Sequence, residues 1–581
     1  MNTKLLLMIV LIAVLAVSAL YAKTKEEWQA EFKVETYAPN KEIKGDYDKS
    51  LAVKCKNGTF VGKKKGNVIA YKGIPFAKQP VGELRWKAPE EPEDSDKVYE
   101  AYNFGKTAVQ MPDWDYPFYE QGEDCLNLTI YLNDTDKSKN KPVLVFIHGG
   151  GYLFGHEAEP IHAGYHFAEN NPDAILIFIT YRLGIYGMAS FANIPGGENY
   201  PDAVNNGVLD EIAALKWIKK NIKGFGGDPN LVTIFGESAG AGSVSTLCVM
   251  PQAKGLFKRV IIESGTVNIN NLPGKETIPA DNLAKAFNAK NMDDLIAIPE
   301  KDLAEYWREN HAKGYNHFVM DGKIIPADCN EEWKKGATKD IEILQGRTGD
   351  EYRHYIEATD YNIPLFKYLN KSAIAWSKAN YNSEWNKLFD EYYKELKDKY
   401  GESVANLEAF NDAAFNTPQL MQAIYHAQNG GKGYFYIFEK PTDWPEVLGA
   451  QHSCELPYVF GNFDGKQYFG TDEEVQLSKT VQRMWVNFAK TGNPSTEEYK
   501  WDEFNADTMP TMIIGDKIRM EPYPDTDRFN KCRKMFEAEP KYRYVNSLST
   551  YLNYGTTIFE DGEAILATYG QIFDPPATFG D

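Results

Sequence analysis

The stretch LVTIFGESAGAGS, residues 231–243, joins an apolar run typical of a buried strand to the pattern Gly-x-Ser-x-Gly and then to a series of small residues. Gly236 and Gly240 would allow the tight turn that holds the Ser238 hydroxyl clear of the strand edge. This arrangement is called a nucleophile elbow. Because so short a pattern also occurs by chance, the alternative is an ordinary Gly/Ser turn, and the rest of the chain has to decide between them.

The segments around the elbow predict a doubly wound α/β sheet. Residues 209–222 repeat apolar side chains at helical spacing, with acidic residues early and lysines late. An alternation of such helices with buried strands favours a large, mostly parallel sheet flanked by helices. Charged helical patterns predict further helices inserted over the sheet, and two short runs separated by glycine and lysine predict a hairpin. The predicted strands are residues 128–132, 143–147, 174–179 and 260–264, the inserted helices residues 282–315 and 376–400, and the hairpin strands residues 58–62 and 67–71.

Composition limits the classes of protein that the chain can form. Its 581 residues are 43% hydrophobic, and because no repeat or Pro/Ser-rich linker divides them, we expect one large domain with insertions. A formal charge of −19 without a basic cluster disfavours nucleic acid as a partner. The six cysteines match no zinc pattern, and we expect neither a metal nor a cofactor.

The two ends of the chain differ from its middle. Met1–Ala22 has the three-part shape of a signal peptide, with cleavage expected after Ala19 or Ala22, and predicts a secreted or periplasmic protein. The alternative is an uncleaved anchor, which would hold the protein at a membrane. Residues 23–50 form a lead-in segment or a short helix, residues 51–535 the main domain, and residues 536–581 a Tyr-rich tail.

A serine nucleophile needs N–H donors for the oxyanion, a base and an acid that orients the base. Three glycines follow the predicted strand 143–147, and the amides of Gly150 and Gly151 with that of Ala239 are the candidate oxyanion hole. His452 is the candidate base, with His162 and His354 as competitors. Asp350 and Glu351 follow a predicted strand end, where α/β sheets place ligand-facing residues, and either could be the acid.

Several motifs, in order along the chain, resemble the type-B carboxylesterase/cholinesterase family of the α/β-hydrolase superfamily. The resemblance extends from Leu51 to Phe529. The motifs are Gly73–Ala77, Glu123–Leu128, His148–Gly151, Tyr181–Gly184, Asn206–Asp210, Phe235–Ala241, Gly449–His452 and Phe488–Pro494.

The resemblance implies a role for each matching position. It implies Ser238 as nucleophile, Glu351 as acid and His452 as base. It also implies two structural ion pairs and a substrate pocket. The remaining implied positions are Gly150, Gly151 and Ala239 as oxyanion donors, Arg85 with Glu123 and Arg182 with Asp210 as ion pairs, and Trp114 and Glu237 in the pocket.

The chain departs from the family pattern at three places. Tyr352 follows the acid where the family often has glycine, which leaves Asp350 as a rival of Glu351. Cys125 lacks the upstream cysteine with which many members pair it. The aromatic loop around Trp114 is short, which disfavours the cation–π recognition of choline esters.

The motifs together predict a secreted serine carboxylic ester hydrolase that acts through an acyl-enzyme on a small ester, without a cofactor. One alternative is another acyl substrate, such as a thioester, an amide or a feruloyl-type ester, because a triad does not select the leaving group. The other is a non-catalytic binding or adhesion protein on the same fold. The sequence leaves the oligomeric state open.

Overall fold

The computed structural model describes residues 37–110, 119–271, 273–310, 317–353, 382–443, 448–465 and 467–538. Within these residues lie an 11-stranded sheet and a separate 3-stranded sheet. The strands are β1 Ala52–Cys55, β2 Gly58–Val61, β3 Lys63–Lys65, β4 Val68–Pro75, β5 Val98–Glu100, β6 Asn127–Asn133, β7 Lys141–Ile147, β8 Ile175–Ile179, β9 Gly227–Glu237, β10 Arg259–Glu263, β11 Glu342–Thr348, β12 Gly433–Phe438, β13 Pro510–Ile514 and β14 Arg519–Pro522.

Helices connect and cover these strands. A π-helical turn, Asp412–Asn416, lies between two of them. The α-helices are α1 Tyr165–Asn170, α2 Gly184–Gly187, α3 Asn206–Asn221, α4 Ala239–Leu247, α5 Ile278–Phe287, α6 Met292–Ile296, α7 Glu300–Asn310, α8 Cys329–Lys334, α9 Ser383–Tyr400, α10 Glu402–Asn411, α11 Thr417–Gln428, α12 Leu456–Phe460, α13 Asp472–Thr491 and α14 Thr526–Ala538.

The large sheet is parallel in its middle and antiparallel at both edges. Strands β8, β7, β9, β10, β11, β12 and β13 lie side by side in this order and run parallel. Strand β14 adds an antiparallel edge on one side, and β6, β4 and β3 add antiparallel strands on the other. This order confirms the predicted mostly parallel α/β sheet.

Strand β7 shows why the middle of the sheet is buried on both faces. Val143 and Val145 pack into one hydrophobic core, whereas Leu144 and Phe146 pack into the core on the opposite face. Side chains alternate between faces along a strand, so an uninterrupted apolar run needs cover on both sides. Helices α3 and α4 contribute to the first core and α13 to the second. The predicted strands and the predicted helix over residues 209–222 are confirmed.

The predicted hairpin between residues 58–62 and 67–71 is wrong. Strand β2 pairs with β1 in the small sheet, and β4 pairs with β3 at the edge of the large sheet. The lysines of β3, expected in a turn, form a strand whose side chains are all exposed. At a sheet edge such side chains reach water, so a charged strand is tolerated there and protects the edge from further pairing.

The two ion pairs implied by the resemblance are confirmed. Arg85 Nε lies 2.8 Å from Glu123 Oε1 and Arg182 Nη2 lies 2.7 Å from Asp210 Oδ1, with all four side chains buried. The Arg85 guanidinium also donates to the carbonyl of Ile298, between α6 and α7. Arg85 therefore links the connection between α6 and α7 to the segment before β6 that carries Glu123, and removal of one partner would leave the other charge buried and uncompensated.

Several predictions concern residues outside the described ranges. They include the signal peptide, residues 1–22, and all but the first three residues of the Tyr-rich tail. Of the lead-in, residues 37–48 contain no helix and include a β-bridge from Glu42 to Tyr99. None of the described helices is long and apolar enough to cross a membrane.

Candidate active site

Ser238 lies at the turn between β9 and α4 with φ 55° and ψ −121°, a left-handed conformation that is uncommon for a residue with a side chain. Such strain costs on the order of 1–3 kcal/mol and persists only where the surroundings enforce it. The flanking glycines are required by close packing: a Cβ on Gly236 would lie 2.7 Å from Gly240 C, and a Cβ on Gly240 would lie 2.0 Å from Ile147 O. The sequence stretch therefore folds as an elbow and not as an ordinary turn.

The glycine loop after β7 lies against this elbow. A Cβ on Gly149 would be 3.1 Å from Ser238 Cβ, and Gly150 and Gly151 both have positive φ, at 97° and 61°. The amides of Gly150, Gly151 and Ala239 donate no hydrogen bond to any acceptor in the described part of the chain. These free donors beside the serine suit a developing negative charge.

His452 and Glu351 meet at the carboxyl ends of the parallel strands. His452 Nδ1 lies 2.5 Å from Glu351 Oε2, and the Glu351 carboxylate is fully buried. Its other oxygen, Oε1, accepts hydrogen bonds from the Ser264 hydroxyl at 2.6 Å and from the Thr348 amide at 2.9 Å. A carboxylate fixed by three donors can hold an imidazole in one orientation and one tautomer.

Asp350, the rival acid, has other partners. Its Oδ2 accepts the Ala450 amide at 3.0 Å, and its Oδ1 lies 3.0 Å from Arg353 Nη2. It thereby ties the loop after β11 to the loop that carries His452, and it does not contact the imidazole. Of the competing bases, His162 is buried with Nδ1 3.0 Å from His156 O, and His354 lies outside the described residues.

A second carboxylate, Glu237, faces the other side of the imidazole. Its Oε1 lies 3.1 Å from His452 Nε2 and accepts the Ser453 hydroxyl at 2.6 Å. The sequence predicts Glu237 in a substrate pocket with Trp114. The structure places Glu237 in contact with His452, whereas Trp114 lies in the segment 111–118, outside the described residues.

The two carboxylates change the acidity of the site. Burial lowers the pKa of His452, but the charges of Glu237 and Glu351 outweigh it and raise the pKa to about 9. Burial raises the pKa of Glu237. Burial also acts to raise the pKa of Glu351, but the His452 charge and the hydrogen bonds from His452, Ser264 and Thr348 leave it lowered. Glu351 is therefore the carboxylate of the site that stays ionised, whereas Glu237 and His452 compete for one proton.

Sequence reasoning missed three contacts of this site. Ser264 directly follows the end of β10, and Ser453 directly follows His452. Serine is too common at such places to indicate a role. Phe415 comes from the π-helical turn, and its ring centroid lies 4.9 Å from that of His452. Nothing in the local sequence connects Phe415 to a histidine 37 positions later, although π-turns are frequent at functional sites.

Within the described ranges we find neither a disulfide nor a metal site. All six cysteines are buried and none forms a disulfide, including Cys125. No three His, Cys, Asp or Glu side chains among the described residues are arranged to hold a metal ion.

Comparisons with known proteins agree with the fold and with the motifs. The model of the carboxylesterase family matches residues 49–532. Para-nitrobenzyl esterase of Bacillus subtilis is 34% identical over 83% of this chain and 98% of its own length. Acetylcholinesterase of Bungarus fasciatus is 30% identical over 76% of this chain and 78% of its own.

Solved structures show the same relationship in three dimensions. A PNB esterase structure, 33% identical, superposes with a TM-score of 0.73 over 83% of this chain and 99% of that chain. Carboxylesterase EST55 of Geobacillus stearothermophilus, 30% identical, has the same TM-score and the same coverage. With its elbow, its glycine loop and its 11-stranded sheet, the chain belongs to the carboxylesterase family and is a serine ester hydrolase of the α/β-hydrolase fold.

Proposed function

We propose that the protein hydrolyses small carboxylic esters through an acyl-enzyme on Ser238, with His452 as the base, Glu351 as its orienting acid and the amides of Gly150, Gly151 and Ala239 as the oxyanion hole. The observation that carries the proposal is the 2.5 Å contact between His452 Nδ1 and the buried Glu351 beside a strained serine elbow. A nucleophile, an orienting carboxylate and a base, in this order along the chain, match the α/β-hydrolase arrangement.

In the proposed reaction the Nδ1–H of His452 donates to Glu351, which leaves a lone pair on Nε2. As the Ser238 oxygen bonds to the ester carbonyl carbon, Nε2 takes the hydroxyl proton and the carbonyl oxygen becomes an anion facing the free amides. The C–O bond to the alcohol then breaks, and His452 gives its proton to the departing oxygen. Water repeats the sequence on the acyl group and releases the carboxylic acid.

Glu237 has a part in this cycle through the proton that it shares. When Glu237 is protonated, its carboxyl, 3.1 Å from Nε2, carries no charge that favours the imidazolium, and His452 is neutral and able to act as a base. An ionised Glu237 instead stabilises the imidazolium that forms during attack. The carboxyl therefore sets the pH at which His452 becomes an effective base.

The substrate is proposed to be an uncharged small ester and not a choline ester. Relatives in the family are named as para-nitrobenzyl esterase, acetylcholinesterase and carboxylesterase, so the family covers several alcohols. The short aromatic loop around Trp114 disfavours a quaternary ammonium site. A non-catalytic role is disfavoured because the buried pair of Glu351 and His452 and the strained elbow at Ser238 are both present.

We also propose export, on the three-part pattern of Met1–Ala22. Both proposals are tested by expressing the full chain in a host that exports signal-peptide proteins and treating the exported fraction with a fluorophosphonate probe. The expected product begins at Leu20 or Lys23 and carries the label on Ser238, as mapped by mass spectrometry. An N-terminus at Met1, or retention in the membrane fraction, would contradict export. Folded protein without a label would contradict the acyl-enzyme.

Replacing Glu237 by Gln should move the pH dependence of kcat/KM. With a pKa of about 9 for His452 in the wild type, activity should increase toward alkaline pH as the imidazole loses its proton. The change to Gln removes one of the two negative charges that raise the pKa of His452. The acid limb of the pH profile should therefore move to lower pH by roughly one unit or more. Initial rates with p-nitrophenyl acetate across the pH range measure this shift, and Asp350→Asn is the control that should not move it. An unmoved limb in Glu237→Gln would show that Glu237 does not tune the base.

A further inference from the structure

Glu211 is a fully buried carboxyl group on α3 that the proposed reaction does not use. Its neighbour Asp210 is paired with Arg182, but Glu211 forms no ion pair with any described residue. Its Oε1 accepts the Ser243 hydroxyl at 2.7 Å, and its Oε2 is buried without a hydrogen-bond partner in the described part of the chain. A buried carboxyl with one oxygen unpaired is costly unless it is protonated or completes a network.

Glu211 contacts α4, the helix that supplies one of the candidate oxyanion donors. Ser243 is on α4, the helix that begins at Ala239. Tyr152 ends the glycine loop with φ 62° and is fully buried; burial raises the pKa of its hydroxyl, and the neighbouring Ser243 hydroxyl lowers it. That hydroxyl lies against α4, since a Cβ on Gly242 would be 3.0 Å from its oxygen. Ser243 therefore has the Glu211 carboxyl on one side and the Tyr152 hydroxyl on the other.

The other end of the glycine loop is fixed from the same region. The Tyr181 hydroxyl donates to His148 O at 2.8 Å, and the two rings stack with centroids 4.5 Å apart. The Tyr181 and Tyr152 rings meet edge to face at 6.4 Å. The left-handed conformation of Tyr152 has to be enforced by its surroundings, and its side chain reaches toward Gly242 and Ser243 on α4.

The electrostatics of this pocket favour an uncharged carboxyl. Burial raises the pKa of Glu211 well above its ordinary value, the Ser243 hydrogen bond lowers it, and the Asp210 charge raises it. The titratable groups that face Glu211 are Tyr152 and Tyr181 from the loops and Asp210, with Arg182 beyond it, on its own helix. A protonated carboxyl can donate and accept at once, whereas an ionised one only accepts.

We propose that Glu211 is a positioning residue of the oxyanion hole: it accepts the hydroxyl of Ser243 on α4, beside which the Tyr152 hydroxyl of the glycine loop lies, and so holds Ala239 in register with Gly150 and Gly151. The inference rests on the proposed ester hydrolysis. Displaced amides would weaken stabilisation of the transition state and leave binding of the ester almost unchanged. The signature is therefore a loss in kcat with little change in KM.

The test compares Glu211→Gln with Glu211→Leu in the full chain, with p-nitrophenyl acetate as substrate. Gln can donate and accept like the protonated acid, so Glu211→Gln should keep kcat within about threefold. Leu has a similar size but cannot accept the hydrogen bond from Ser243, and Glu211→Leu should lower kcat by roughly 10- to 100-fold, less than the loss of a whole oxyanion donor. Ser243→Ala, which removes the bridging hydroxyl, should lower kcat in the same direction and serves if Glu211→Leu does not fold.

Melting temperatures provide a readout that does not depend on turnover. The unfolded carboxyl ionises above about pH 4.3, whereas the folded one stays protonated, so Glu211 should reduce wild-type stability as the pH rises above that value toward its folded pKa. Glu211→Gln lacks this loss. Its melting temperature relative to the wild type should therefore be higher at pH 8 than at pH 4. The same difference at both values would overturn the proposal.

The kinetic outcomes separate this inference from the proposed function. Unchanged kcat in Glu211→Leu and Ser243→Ala would overturn it even if melting temperatures fell, because the role would then be structural only. Equal losses in Glu211→Gln and Glu211→Leu would also overturn it, because the charge and not the hydrogen bond would matter. A wild type that hydrolyses no ester would instead refute the proposed function, and the melting comparison would still decide the state of Glu211.

Discussion

Replacing Ser238 by Ala is expected to remove roughly 10³-fold or more of the ester turnover. Ser238 stands at the elbow beside the glycine loop, whereas the other two site serines with positive φ, Ser264 and Ser453, donate their hydroxyls to the two carboxylates of the site. A water molecule that attacked the ester directly would lack the covalent step that divides the barrier in two. The measurement is kcat with p-nitrophenyl esters, together with loss of the fluorophosphonate label.

The variant also has a control for folding. Alanine removes a single oxygen atom and keeps the same Cβ at φ 55°, so the melting temperature should stay within a few degrees of the wild type. An alanine variant with near-full esterase activity and a normal melting temperature would rule out Ser238 as the nucleophile.

Replacing Glu351 by Gln is expected to lower kcat by at least about 10²-fold, and by as much as about 10⁴-fold, a range set by comparable changes in other triads. The amide cannot carry the charge that supports the imidazolium. Its NH₂ group can also turn toward His452 Nδ1 and favour the wrong tautomer. Because Glu351 is one of the two charges that raise the pKa of His452, the acid limb of the pH profile should also move to lower pH.

Asp350→Asn is the matched control for this change. It alters the neighbouring carboxylate by the same atoms, but Asp350 contacts Arg353 and the Ala450 amide and not the imidazole. We expect it to change kcat by less than about tenfold, through a small displacement of the histidine loop. A larger loss in Asp350→Asn than in Glu351→Gln, measured side by side, would reverse the assignment of the acid.

Much of the fold could be predicted because the burial of a strand follows from the hydrophobic pattern of its consecutive residues. The run from Val143 to Ile147 needs cover on both faces wherever it lies, so the sequence predicts a parallel strand without knowledge of its neighbours. The lysines of β3 are the opposite case. Three consecutive lysines next to glycines predict a turn, and only the position at a sheet edge explains why they form a strand. The pairing of strands depends on two segments of the chain, whereas a local sequence pattern describes only one of them.

The candidate site likewise contains some features that the sequence predicts and others that it does not. Gly-x-Ser-x-Gly and the glycine loop are predictable because backbone conformations that demand glycine leave a visible trace in the sequence. The contacts of Ser264, Ser453 and Phe415 leave none, because each depends on a partner that is distant in the chain and on a residue type with many ordinary uses.

The sequence by itself determined that this chain contains an elbow serine, a glycine loop and a mostly parallel sheet, because each of these follows from the backbone preferences of consecutive residues. Only the tertiary structure decided which of two adjacent acids faces the histidine. Asp350 and Glu351 are chemically alike and consecutive, and the folding of the loop after β11 directs one carboxylate to Arg353 and the other to His452. The same holds for Glu237 and Glu211, whose protonation depends on burial, a quantity that exists only once the chain has packed.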